Sequence, residues 1–511
     1  VFRHLPWYKG DWREQVRELL DAFDKLPARP TDPSDLRLGV IGRLVLDRLG
    51  GDPRKPAGEG ESPKAFGPNA WQGIHSPLME YREVRHGTAG AVRPHGFLRL
   101  AWRDEVDDSP QYARAYLPPD YDPQAAERTW PMIVVLHGYN PPNPEYIHWW
   151  GVTNRHNSIA ERHNVIVLEP HGRGNTSYNG IGDADVLRAI RLAKETFRVD
   201  EDRVYLTGYS MGGGGTWHIG TRHPELFAAI APIYGGWDYH QRMEEDELAK
   251  LTPRQKYEME SWSSFAQAES LLTTPVFVNH GDADSLVDVK FSRYAARMLQ
   301  RWGYNLRYWE HPGGGHGRLG CEDELVRWLL THKLDRDPRR VRVRSARLKS
   351  ASAHWVSVRQ REDPYAFIQA DARVVDSGTI RLDTANALEV RLSPGPKLVD
   401  RDRPVRVIWN GRDVGSYAFF PGGAVTVRAA GYDPAPGMFH KTPQIAGPID
   451  DATTTPFAIV EGTASEDPAM RRFCRFRAEA ARDEWRRWQK VTPRYFLDTE
   501  ITDEQVRTYS L

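Results

Sequence analysis

The segment Gly208-Tyr209-Ser210-Met211-Gly212 places a serine between glycines two residues away on each side. This spacing suits a strand that turns sharply into a helix, because each glycine leaves room where strand and helix pass closely. The turn exposes the hydroxyl and aims the next backbone N–H and the helix N-terminus at the same point. A serine hydroxyl is a weak nucleophile until a base takes its proton. Gly313-Gly314-Gly315-His316-Gly317 supplies a candidate, since a histidine in a glycine-rich loop can reach the serine and act as base and then acid. The base in turn needs a carboxylate to fix its tautomer. His280-Gly281-Asp282-Ala283-Asp284-Ser285-Leu286-Val287 offers Asp284 for that role and Asp282 as a brace for the loop.

The developing oxyanion needs N–H donors. We assign the backbone amides of Met211, after the serine, and Tyr139, in His137-Gly138-Tyr139. His137 reads as a structural turn residue. The acidic run at 282–284 also raises a calcium loop. It lacks the glycine such a loop requires, and Leu286 stands at a ligand position. No metal is expected, and the chemistry calls for no cofactor. For substrate contacts the candidates are Trp149, Trp150 and Trp237, on loops at the carboxyl ends of strands, and Arg173, which follows another. Each has a plainer reading: packing for the tryptophans, a surface ion pair for the arginine.

These residues need a rigid frame. Short apolar runs at 132–136, 165–168, 204–206, 228–231 and 276–278 suit strands buried on both faces of a parallel sheet. Between them, Ala184 to Ala193 carries apolar residues at helical spacing. Strand and helix alternate from about residue 95 to 335, which predicts an α/β domain. Residues 1–94 read as a helical and loop segment, with Val16, Leu19, Leu20 and Phe23 on one helical stripe and a Gly/Pro-rich loop at 50–73. At 340–430 the pattern turns to apolar–polar alternation, as in Val405-Arg406-Val407-Ile408-Trp409, followed by Asn410-Gly411. That predicts a small β-rich, sandwich-like domain with a hairpin turn. Residues 431–511 form a C-terminal segment, with a helix at 468–489 whose stripe would hold Met470, Phe473, Cys474, Trp485 and Trp488.

Composition narrows the function classes. The 511 residues carry 69 Lys plus Arg and 69 Asp plus Glu, so nothing marks a nucleic-acid surface. No apolar run approaches the ~18 residues of a membrane span. Cys321 and Cys474 read as unlinked thiols. The chain starts Val1-Phe2-Arg3, without a leader-like apolar core, as expected of a fragment or of a chain whose leader was removed; the latter would place it outside the cytoplasm, secreted or periplasmic. It ends just after a helix start, so we expect the natural protein to continue.

In chain order the pieces run serine, acid, histidine, and in that order they resemble the α/β-hydrolase superfamily, across about residues 95–335. Gly208 to Gly213, with Arg203-Val204-Tyr205-Leu206-Thr207 before it and Pro224-Glu225-Leu226-Phe227-Ala228-Ala229 after it, is most similar to prolyl-oligopeptidase-like esterases, including feruloyl and acetyl esterases. The resemblance implies a mostly parallel sheet with helices on both faces and a catalytic set of Ser210, Asp284 and His316. It also implies cleavage of carboxylic esters, on a small molecule or polymer, through an acyl-enzyme. True prolyl oligopeptidases place a β-propeller first, and fewer than 100 residues precede the domain here. Lys441 to Ile449 is similar to tails of multidomain bacterial members. Two rivals stand beside the esterase: a serine peptidase with the same residues, and a non-catalytic binding or scaffold protein.

Overall fold

The structure, a computed structural model, describes residues 12–27, 32–49, 95–139, 159–236, 238, 241–317, 319–419, 422–434, 441–443, 447, 449–489 and 492–509. Eight strands form one sheet: β1 (Gly96–Arg103), β2 (Pro110–Leu117), β3 (Trp130–Leu136), β4 (Ile166–Pro170), β5 (Val199–Tyr209), β6 (Ala229–Ile233), β7 (Val276–Gly281) and β8 (Leu306–His311). Their order is β1-β2-β4-β3-β5-β6-β7-β8. β1 and β2 are antiparallel, and β2 meets β4 antiparallel. From β4 through β8 every pairing is parallel.

The apolar runs behave as their composition requires. On β3, Met132, Val134 and Leu136 face one core, with Val186 and Ile190 of the helix Ile181–Thr196 and Trp217 of the helix Met211–Arg222. Ile133 and Val135 face the other, with Ile159, Leu325 and Leu329. A strand apolar on both sides needs helices on both sides, and this sheet has them. The α/β-hydrolase fold expected from the sequence is therefore the fold observed.

A second group of strands follows: β9 (Arg340–Ser345), β10 (Ser352–Ala353), β11 (Val356–Gln360), β12 (Ile368–Asp376), β13 (Thr379–Ala385), β14 (Glu389–Leu392), β15 (Val405–Trp409), β16 (Arg412–Tyr417) and β17 (Val425–Arg428). They make a five-stranded sheet, β16-β15-β13-β12-β9, and a four-stranded sheet, β10-β11-β14-β17. Both contribute to one core, Val341, Ile368, Ile380 and Val407 from the first and Val358, Val390 and Val427 from the second. Asn410 and Gly411 both have positive φ and join β15 to β16 in a two-residue turn, as their sequence demands.

The helices Trp12–Phe23 and Pro33–Leu49 pack through Val16, Leu19 and Leu20 against Leu38, Ile41 and Val45. Val40 of the second rests on Tyr112 of β2. The 50–73 loop, and residues 444–446 and 448 of the 441–449 stretch, lie outside the described residues. The helix Pro468–Gln489 forms, but its buried stripe is not the one expected. Ala478 is buried and Cys474 and Trp485 half-buried, whereas Met470 and Phe473 are exposed. The helix buries only a narrow line of side chains, and the residues of its first turn are exposed. Trp485 Nε1 donates to Asp107 Oδ2 at 3.2 Å, and Arg494 donates to the Val106 and Glu105 carbonyls at 2.8 and 3.1 Å, fixing this segment to the loop after β1. Both cysteines are free. Among the described residues, no helix is long and apolar enough to cross a membrane.

Candidate active site

Ser210 stands between β5 and the helix Met211–Arg222, with φ 55° and ψ −115°. Such angles cost a non-glycine residue on the order of 1–3 kcal/mol and persist only where surroundings enforce them. Here the Ser210 N–H donates to the Ile233 carbonyl at 3.1 Å, and the Ser210 carbonyl accepts from Gly214 N–H at 2.9 Å. A Cβ at Gly212 would collide with the Leu136 and His137 carbonyl groups, which is why the motif needs glycine there.

Two further loops converge on this corner. Ser210 Oγ lies 2.9 Å from His316 Nε2, and His316 Nδ1 lies 2.8 Å from Asp284 Oδ2. The carboxylate only accepts, so Nδ1 carries the proton and Nε2 presents its lone pair to the serine hydroxyl. Asp284 Oδ1 accepts from the Leu286 and Val287 backbone N–H groups at 2.8 and 2.9 Å. Burial alone would raise the Asp284 carboxyl. The Val287 N–H, His316 and the Leu286 N–H outweigh burial and hold it below the usual carboxylate range. The loops after β7 and β8 are laced together. Gly313 N–H donates to Asp282 Oδ1 at 2.6 Å, Ala283 N–H donates to the Gly314 carbonyl at 2.9 Å, and a Cβ at Gly281 would strike Gly314.

The loop after β3 reaches the same corner. An added Cβ on Gly138 would sit 3.7 Å from Ser210 Cβ, so the chain leading to Tyr139 runs beside the serine. The Tyr139 side chain is exposed. Met211 opens the helix that follows the serine. The backbone amides proposed as oxyanion donors thus belong to the two segments that flank the hydroxyl. His137 is buried, with Nδ1 2.8 Å from the Gly138 carbonyl and Nε2 3.0 Å from the His171 carbonyl. Burial pushes its pKa down. Its ring is committed to the turn.

The substrate contacts expected from sequence fare differently. Trp149, Trp150 and Trp237 lie outside the described residues. Arg173 requires a correction: it neither contacts a substrate nor forms a surface ion pair. Its side chain is 1% exposed and is ringed by Asp107 at 2.8 Å, Asp104 at 3.0 Å and Asp185 at 3.6 Å. A guanidinium this buried needs its carboxylates, and they leave it no face for a ligand. Burial pushes the Asp185 carboxyl up to about 7, against the pull of Arg173.

Two residues of the site escaped sequence reasoning. Tyr178 is fully buried, has φ 57°, and donates its hydroxyl to the His137 carbonyl at 3.1 Å, bracing the loop that leads to Tyr139. Tyr234, with φ 33°, packs its ring 4.6 Å from the His316 ring. Glycines at 172, 174 and 180 mark a contorted loop around Tyr178, and Gly235-Gly236 follow Tyr234; those clusters were the available signals.

Residues 156–332 match the prolyl oligopeptidase family model. Among curated proteins, the chain is 26% identical over 136 residues to acyl-protein thioesterase 1 of Neurospora crassa, covering 27% of this chain and 48% of the relative. It is 30% identical over 123 residues to the bifunctional acetylxylan esterase/xylanase XynS20E of Neocallimastix patriciarum, covering 22% of this chain and 17% of the relative. The chain thus spans less than half the length of each. Among solved structures, a thermostable esterase is similar over 46% of this chain and 63% of its own, with 24% identity and a TM-score of 0.35. The sheet order, the strained serine at the β5–helix corner and the family match agree: this chain carries an α/β-hydrolase fold, and its residues 156–332 resemble the prolyl oligopeptidase family.

Proposed function

We propose that this serine hydrolase cleaves carboxylic esters, with Ser210 as nucleophile, His316 as general base and acid, and Asp284 as the orienting carboxylate. The observation that carries the reading is the hydrogen-bond chain from Ser210 Oγ to His316 to Asp284, at 2.9 and 2.8 Å. His316 Nε2 takes the hydroxyl proton as Oγ attacks the ester carbonyl. The oxyanion is met by the Met211 and Tyr139 backbone N–H groups, each worth on the order of 3 kcal/mol in such sites. His316 then protonates the leaving alcohol, and a water activated by the same imidazole releases the acid from the acyl-enzyme. Esters are favoured as substrates because both relatives described above are named for ester or thioester cleavage.

A peptidase reading is supported by the family model matched by residues 156–332. The chemistry differs in the leaving group. A panel of p-nitrophenyl acetate, feruloyl, sugar-linked acetyl and thioester substrates against aminoacyl-proline anilides separates the two. Esters are expected to lead in kcat/KM by at least about 100-fold, or ~2.7 kcal/mol of barrier. Equal or faster anilide cleavage overturns the esterase in favour of the peptidase. Failure of a fluorophosphonate to label Ser210 overturns both in favour of a binding protein.

A further inference from the structure

Asp284 has a second histidine. Its Oδ2, which accepts from His316 Nδ1 at 2.8 Å, also lies 3.3 Å from Nε2 of His280, the penultimate residue of β7. His280 is fully buried, with Nε2 2.9 Å from the Val287 carbonyl and Nδ1 2.7 Å from Ser292 Oγ. Ser292, also fully buried, sits in the helix Lys290–Arg301.

These distances fix the protons. Nε2 faces two acceptors, a carbonyl and a carboxylate, so it must carry hydrogen. In the neutral ring Nδ1 is then bare, and it accepts the Ser292 hydroxyl proton. Two serine–histidine pairs therefore meet at one carboxylate oxygen. Ser210–His316 is partly exposed, and Ser292–His280 is fully buried. The titratable groups facing His280 are Asp284 on its own loop, His316 on the loop after β8, Glu310 on β8 and Tyr234 after β6. Burial favours the neutral ring among them.

We propose that His280, held by Ser292, is a positioning residue of the hydrolytic site: it anchors Asp284 Oδ2 in line with His316 and takes up part of the carboxylate's accepting capacity. The inference rests on the catalytic reading above. Two backbone N–H groups hold Oδ1, but they leave the carboxylate free to rock about that edge. The single His280 Nε2–H is shared: its nearer acceptor is the Val287 carbonyl at 2.9 Å, and its weaker pull on Asp284 Oδ2 at 3.3 Å restrains the other oxygen. By sharing Oδ2 it also leaves less negative charge to stabilise protonated His316. Removing the His280 donor therefore loosens the base and, at the same time, makes protonated His316 easier to form.

The test is the pH dependence of p-nitrophenyl acetate hydrolysis by the full chain and its His280→Leu, His280→Gln and Ser292→Ala variants. His280→Leu is expected to lower kcat by about 10- to 100-fold with KM changed less than about threefold. The acidic limb of kcat/KM should move up by about half a pH unit. His280→Gln, whose amide can donate in place of Nε2, should recover a large part of kcat and return the limb toward wild type. Ser292→Ala, a small change that leaves the fold standing if His280→Leu does not, should shift the limb in the same direction by less. Limbs that stay in place or move to lower pH in the folded variants overturn the proposal. A wild-type chain that turns over no ester and takes no fluorophosphonate overturns the catalytic reading instead, so the two failures are distinguishable.

Discussion

β3 and β9 are strands of similar length with opposite surroundings. Every residue of β3 is buried, whereas β9 alternates, with Val341, Val343 and Ser345 buried and Arg340 exposed. The parallel sheet is a wall inside the protein, and its loops emerge at strand ends. The sandwich buries alternate residues of each strand and turns polar ones outward, to water or, for Arg342 and Arg344 of β9, to Glu269 and Ala266. In a wall buried on both sides the ends of the strands are the accessible places, and there β3, β5, β7 and β8 deliver Tyr139, Ser210, Asp284 and His316. A change in the wall should therefore reach the chemistry, and a change in the sandwich should reach stability first.

The largest expected effect lies at the corner. Ser210→Ala should lower ester kcat by about 10⁵- to 10⁶-fold without altering the circular dichroism spectrum. Residual activity above about 1% would detach the chemistry from the wall. Gly212→Ala tests whether the corner needs its close approach. Its Cβ would meet the Leu136 carbonyl oxygen, and we expect a loss of about 3 kcal/mol of stability together with activity, read by urea titration and by turnover.

The comparison sharpens with two isoleucines, both fully buried. Ile133 lies on β3 and Ile380 on β13. Replacing either with alanine should cost about 2–5 kcal/mol. Ile133→Ala should also lower kcat at 25 °C, because β3 runs into the His137–Tyr139 loop. Ile380→Ala should leave kcat of the folded fraction unchanged. Equal effects on kcat would break the distinction.

The smallest effect is a slope with pH. His354, after β10, places Nε2 2.9 Å from Thr273 Oγ1, and burial pushes its pKa down to about 4 against Asp335 and Asp337. An unfolded histidine takes its proton near 6.5. Between those values the unfolded chain binds more protons. The contribution is thus complete above about pH 6.5 and is lost as pH falls toward 4. His354→Gln should flatten that part of the stability profile, measured as urea midpoints at pH 7 and 4.5. A slope identical to wild type would clear His354 of the role.

Much of this was written locally. The apolar run of β3 allowed only a doubly covered strand, and the glycines around Ser210 allowed only a tight corner, because each states a requirement of its own backbone or face. Asn410-Gly411 dictated its turn for the same reason. The stripe on the helix Pro468–Gln489 was misread because a helical wheel shows which residues share a face, not how wide a surface awaits it; Met470 and Phe473 found none.

Arg173 shows the limit most plainly. Its partners, Asp104, Asp107 and Asp185, come from the β1–β2 loop and from a helix, and nothing in its neighbours announces them. Tyr178 and Tyr234 were hidden likewise, since their hydrogen bond and ring contact join loops from different strands, and His280 because the loop after β7 must fold back before Asp284, Val287 and Ser292 reach its ring. By itself the sequence determined the strand faces, the strained corner and the types of group that do acid–base chemistry, all of which are properties of neighbours along the chain. Tertiary structure decided which carboxylates meet which cations and what braces the base, because those pairings depend on distances that only the packed sheet and its loops set.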